Sequence, residues 1–173
     1  MKKAVAFTVV LSFILLVFTS CKSQGGEKVL RDFITEFYTV DQSDYDFYEK
    51  AIKGANESEV AEFDKAYETE NKKFKPYLTD NSYVAFVNDR LSVARIKNFY
   101  AKGNLAEVKD IKISKSSENE KEKTITYNFE LQLKEKNKDT KKEETTKKSG
   151  TITVINENDT YKIVDAIPIN WTE

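Results

Sequence analysis

The chain contains no histidine, one cysteine, two prolines and five glycines in 173 residues. Each shortage excludes something. Without histidine there is no general base titrating near neutral pH, no imidazole for zinc and no Ser/His or Cys/His nucleophile pair. A single cysteine permits no disulfide within the chain. The few glycines form no spaced cluster that would cradle a phosphate. Neither sign of charge is scarce: 28 basic residues face 29 acidic ones. That balance offers no electrostatic case for nucleic acid or for a basic membrane-binding surface. The expectation is a protein that is not an enzyme and holds no metal or cofactor.

What is present begins at the N-terminus. Lys2 and Lys3 precede an uncharged apolar run from Ala4 to Phe18, followed by the small residues Thr19 and Ser20. This is the three-part layout of a secretion signal. At about fifteen residues the run falls short of the roughly twenty that span a bilayer as a stable helix. Residues 1–20 are therefore expected to be removed. Cys21 follows directly, and Phe18-Thr19-Ser20-Cys21 resembles the lipobox of bacterial lipoproteins, with Phe18 where the family prefers an aliphatic residue. The resemblance implies a diacylglyceryl group on Cys21 and a mature chain held on the extracytoplasmic face of a cell membrane. Two acyl chains anchor stably where one does not. The alternative is an ordinary secretory signal with a bystander thiol, which an exported protein rarely leaves unpaired.

The mature length suits one domain, and loss of Lys2 and Lys3 leaves a net charge near −3. Lys22 to Gly26 reads as a short flexible tether. The single domain then runs from Glu27 to Glu173 and divides in two, helical periodicity first and strand periodicity second. That is an α+β pattern.

Val29, Leu30, Phe33, Ile34, Phe37 and Tyr38 give a helix over Glu27–Val40. A second is expected from Tyr45 to Lys53, capped by Ser43-Asp44 and ended by Gly54. A third begins at Asn56 or Ser58, buries Val60, Phe63, Tyr67, Phe74 and Leu78, and with Pro76 near its end should kink or stop by Thr79. Tyr83, Phe86 and Val87 mark a short fourth. Ser92 to Tyr100 mixes both periods and is read as a strand or extended segment. Glu107–Lys115 alternates as a strand. Thr124–Leu133 does so most clearly, with Ile125, Tyr127, Phe129, Leu131 and Leu133 on one face. Thr151–Ile155 and Tyr161–Trp171 complete an antiparallel set through the turn Asn156–Asp159. The charged stretch Lys134–Ser149 has two readings, a basic recognition finger or a solvated hairpin tip. Acids interrupt its lysines and no aromatic is interleaved, which favours the tip.

Helices followed by a long antiparallel sheet, with Leu78–Arg90 as the link and Gly150–Val164 as the final hairpin, resemble the nuclear-transport-factor-2-like (cystatin-like) superfamily. Small Gram-positive lipoproteins commonly carry such a domain behind a lipobox. The resemblance implies N-terminal helices packed on a curved sheet that closes into a cone. Phe33, Phe37, Phe63, Tyr67, Tyr127, Phe129 and Trp171 would then line a pocket suited to a small apolar ligand, or else fill the core. Asp165 stands alone among the odd-numbered apolar residues of the last strand. Strict alternation points it inward as a candidate acid/base; a bulge near Val164, with Pro168 beyond, would turn it to solvent. Three functions follow: a tethered binding or accessory domain with an envelope protein partner or small ligand, a lyase- or isomerase-like enzyme using Asp165, or a component of a surface or conjugative transfer complex.

Overall fold

The structure, a computed structural model, describes residues 25–52 and 57–164, with side chains from 60 onward in the second stretch. Five helices precede a four-stranded antiparallel sheet. They are α1 (25–38), α2 (Gln42–Ile52), α3 (Glu57–Lys72), α4 (Asp80–Asn88) and α5 (Leu91–Lys102), with a 3-10 turn, Lys75–Tyr77, between α3 and α4. The strands are β1 (Asn104–Asn119), β2 (Thr124–Asn137), β3 (Glu143–Glu157) and β4 (Thr160–Ile163), in spatial order β1-β2-β3-β4. The fold is α+β, with the helices packed on a curved sheet. Register shifts between Val108 and Asp110 and between Lys115 and Ser117 place two irregularities in β1, and such bulges bend a strand.

Each element has a local cause. Asp41, rather than Ser43 or Asp44, caps α2: its carboxylate accepts from the Ser43 and Asp44 N–H groups at 2.8 and 3.2 Å. The same hydrogen bonds explain its pKa. Burial pushes it up, but the Ser43 hydroxyl and the two backbone donors outweigh that and hold it below the usual value. α3 ends at Lys72, so Phe74 and Leu78 belong to the following turn and bridge rather than to the helix. Val60 is exposed instead of buried. Thr79 caps α4 by accepting from the Ser82 N–H.

The largest departure from expectation is Ser92–Tyr100, which is helical. In α5 the buried residues Leu91, Ser92, Arg95, Ile96 and Phe99 share one face, and Gly103 at φ 68 caps the end, its N–H donating to the Phe99 and Tyr100 carbonyls. Only glycine takes that left-handed turn without cost. α1 also includes Gly25 and Gly26, which the sequence reading placed in the tether before the domain.

The sheet follows its alternation closely. β2 buries Ile125, Tyr127, Phe129, Leu131, Leu133 and then Glu135 on its inner face. Asn158 and Asp159, both with positive φ, form the two-residue turn between β3 and β4, the geometry that matches strand twist. The Lys134–Ser149 stretch is a hairpin whose strands pair throughout from Lys136↔Glu143, exposed for most of its length but with Glu135 buried. Of the expected Tyr161–Trp171 strand, β4 covers the part up to Ile163, Val164 is a bend whose N–H donates to the Thr153 carbonyl at 3.0 Å, and the rest lies outside the described residues.

α1 crosses the inner face of the sheet. Its Leu30, Phe33, Ile34 and Phe37 join Phe74, Phe86, Ile96 and the inner residues of β2 and β3 in the core. Arg31 donates to the Ile111 carbonyl at 2.9 Å, and Val40 bridges to Ala106, fixing the middle of the helix and the residues just past its end to β1.

Candidate functional site

The rings nominated by the sequence divide between two clusters. Phe33 and Phe37 stack at 5.5 Å in α1, Phe74 meets both edge-on at 6.1 Å, and Phe86 lies 4.7 Å from Phe74. These rings fill one another's edges in the favoured geometry. Tyr127 and Phe129 approach from β2 and are buried. Burial pushes the Tyr127 hydroxyl up to about 12. A Cβ on Gly150 would fall 2.9 Å from the Phe129 ring, so glycine there makes room for the aromatic. Phe63 and Tyr67 lie apart, half-buried on α3, where Phe63 stacks 6.3 Å from Phe47 and 5.6 Å from Tyr67. The Tyr67 hydroxyl donates to the Val87 carbonyl at 2.6 Å. Cys21, Asp165 and Trp171 lie outside the described residues.

The strongest buried charge cluster was not anticipated. Arg95 is 1% exposed, and its guanidinium joins three helices. Nη2 donates to Asp44 of α2 and, at 2.5 Å, to Glu70 of α3; Nη1 donates to the Thr39 carbonyl just past α1 at 2.8 Å. The second Glu70 oxygen lies 2.7 Å from Lys73 Nζ, and the second Asp44 oxygen accepts from the Asp41 N–H at 2.9 Å. The guanidinium also lies 5.5 Å over the Phe74 ring. Burial raises the Asp44 pKa, and Arg95 offsets this only in part. On the same elements Tyr38 Oη, both amide atoms of Asn71, Ser92 Oγ and Arg95 Nε are buried with no hydrogen-bond partner among the described residues. Arg95 thus acts as a cross-tie. The signal that could have found it is an arginine in the middle of an apolar helical face, which a strand reading of 92–100 hid.

A third buried carboxylate sits at the other end of the sheet from Tyr127. Glu135 accepts from Asn104 Nδ2 at 3.0 Å and from Thr146 Oγ1 at 2.7 Å. Asn137 in turn donates to Asn104 Oδ1 at 3.1 Å and to the Lys102 carbonyl at 2.9 Å. Tyr45 donates to the Asn104 and Phe99 carbonyls, beneath Lys138 Nζ at 4.1 Å. Here neutral donors satisfy the acid.

The outer face of the sheet is polar and open. The register aligns Asp110–Gln132–Lys147, Lys112–Glu130–Ser149 and Glu107–Lys134–Thr145 in successive rows across β1, β2 and β3. The first two rows line a shallow groove of about 380 Å³. Lys134 pairs with Glu143 at 2.7 Å beside it. Among the described residues no group of three or more His, Cys, Asp or Glu could hold a metal ion, and no helix is long and apolar enough to cross a membrane.

No known protein-family profile matches the chain, and no curated protein does. Among solved structures, the chain is similar to the intermembrane space region of the chloroplast protein ARC6, at 11% identity and a TM-score of 0.35, over 55% of this chain and 74% of that one.

Proposed function

We propose that this protein is a membrane-anchored lipoprotein of the bacterial cell envelope, and that its folded body is a non-catalytic binding or accessory domain that engages an envelope protein through the outer face of the sheet. The observation that carries the reading is the groove across β1, β2 and β3. Its rows alternate in sign, with Asp110 and Glu130 set among Lys112 and Lys147. Such a lining suits a polar segment of a protein partner, because exposed charges of both signs fix register and discriminate against wrong partners. It suits a small apolar ligand poorly. The interior that such a ligand would need is where the rings of Phe33, Phe37, Phe74 and Phe86 pack on one another.

A photo-crosslinking residue at Gln132, in cells making the full-length protein, tests the partner. The expected result is one discrete adduct that Lys112→Glu with Lys147→Glu abolishes. A Gln132 probe that yields no adduct, or an adduct indifferent to both reversals, overturns the sheet as the binding face. The anchor is tested separately by metabolic labelling with palmitate. Incorporation should be lost in Cys21→Ser, and that variant should leave the membrane fraction.

A further inference from the structure

We propose that the end of the molecule bearing the β1–β2 and β3–β4 turns is a membrane-apposed face, held at the lipid surface by the start of α1. The proposal rests on the anchor reading of Cys21. Two glycines carry it. A Cβ on Gly25 would lie 2.7 Å from ring carbons of Tyr161, and one on Gly26 would lie 2.8 Å from the Tyr127 hydroxyl and 3.2 Å from Val154. Backbone comes this close to aromatic rings only where there is no side chain. The sequence suggests a loose glycine linker; in the fold the pair is a mount that fastens α1 to β2, β3 and β4.

The mount sits at one end of the sheet. There Asn119 pairs with Thr124, Thr124 with Ile155, and Glu157 with Thr160. The Glu120–Lys123 and Asn158–Asp159 turns close this end, joined by the Asn156 N–H donating to the Lys123 carbonyl at 2.9 Å. Residues 22–24 are all that separates Cys21 from α1. Four Cα steps reach at most about 14 Å. The opposite end, at the turn after Asn137, is one β2 length away; 14 residues of strand span about 45 Å. So short a reach keeps the near turns beside the lipid at any tilt, whereas the far turn comes to it only if the whole body lies flat.

Charge does not create the orientation. Glu118, Glu120, Glu122, Glu157 and Asp159 stand at this end against Lys115, Lys121, Lys123 and Lys162, a near balance that gives no attraction to anionic headgroups. Covalent reach and the glycine mount set it, so it is insensitive to salt.

The test uses the full-length lipoprotein in phosphatidylcholine/phosphatidylglycerol vesicles containing a headgroup-quencher lipid. Single fluorophores are placed through Lys121→Cys, Asn158→Cys or Asp139→Cys, with Cys21 acylation checked by mass spectrometry in each preparation. Quenching is expected to be several-fold stronger at 121 and 158 than at 139, to persist in high salt, and to level out when a long Gly/Ser insert follows Lys22. Equal quenching at the three sites of acylated protein, or strongest quenching at 139, overturns the apposed face while leaving the anchor intact. A difference that survives the insert overturns the mount as its cause. A Cys21 without acyl chains overturns the anchor reading, and the apposed face with it.

Discussion

The helical layer and the rim of the sheet both bury carboxylates, and they do so by opposite means. Asp44 and Glu70 share one guanidinium, with Lys73 behind Glu70. Glu135 is held by an amide and a hydroxyl. A shared cation makes the arginine indispensable, since removing it takes the counter-charge from Asp44 and leaves Glu70 only Lys73. Neutral donors ask less: each can be lost for about the worth of one hydrogen bond. The helical layer is therefore the brittle part of this molecule and the sheet rim the tolerant part.

The comparison breaks most directly at Arg95. Arg95→Met should destabilise the fold by about 3–5 kcal/mol in urea unfolding, because Asp44 stays buried without its counter-charge and Glu70 keeps only Lys73. Replacing all three with apolar residues of similar volume should recover most of that loss. A triple variant as unstable as the single one would mean that the cluster contributes through shape and not through charge.

At the other site Glu135→Gln should cost only about 1 kcal/mol, since one acceptor is kept and the Thr146 hydroxyl can reverse. Equal losses for Glu135→Gln and Arg95→Met would erase the distinction between the two sites.

Acid sharpens the contrast further. The folded-state pKa of Asp44 is raised, so its ionised form works against the fold at neutral pH. That penalty disappears as pH falls through the raised value toward the ordinary 3.8. Asp41 is lowered, so its contribution is present above 3.8 and is lost as pH drops below it. Asp44→Asn should therefore stabilise the fold between neutral pH and about pH 4, and Asp41→Asn should destabilise it over the same range, a loss that closes below about pH 4. Parallel unfolding curves at each pH are the check; a constant gap at Asp44 would refute its unfavourable burial.

The smallest effect belongs on the open face of the sheet. The exposed Lys134–Glu143 pair, at 2.7 Å, is expected to contribute under about 1 kcal/mol. A double-mutant cycle measures it.

How much of this was legible depends on period. β2 was plain because its inner and outer residues alternate without interruption, and α1 because its apolar residues repeat at one spacing. Ser92–Tyr100 misled because Val93, Ile96 and Phe99 fit a helix while the β-branched pair suggests a strand. The Gly103 cap and the half-polar face with Arg95 settle the matter only once neighbours are known. The α2 cap slipped by two or three residues because Asp41, Ser43 and Asp44 are all competent caps. Of the nominated ring residues, Phe33, Phe37, Tyr127 and Phe129 are buried together in the core, and Phe63 and Tyr67 stand in a second cluster. The Arg95 tie was invisible because it joins residues 51 and 25 positions apart, and no local pattern encodes such a pairing.

Strand order has a further consequence, in time rather than space. Every strand pairs with its neighbour in the sequence, and each of the three connections is a short turn. A chain exported unfolded would meet these pairings in the order they emerge, without first closing a long loop. Topologies built from such near-neighbour pairings form quickly and leave strand edges bare only briefly. A sheet laid down hairpin by hairpin can thus complete itself as fast as its own turns close.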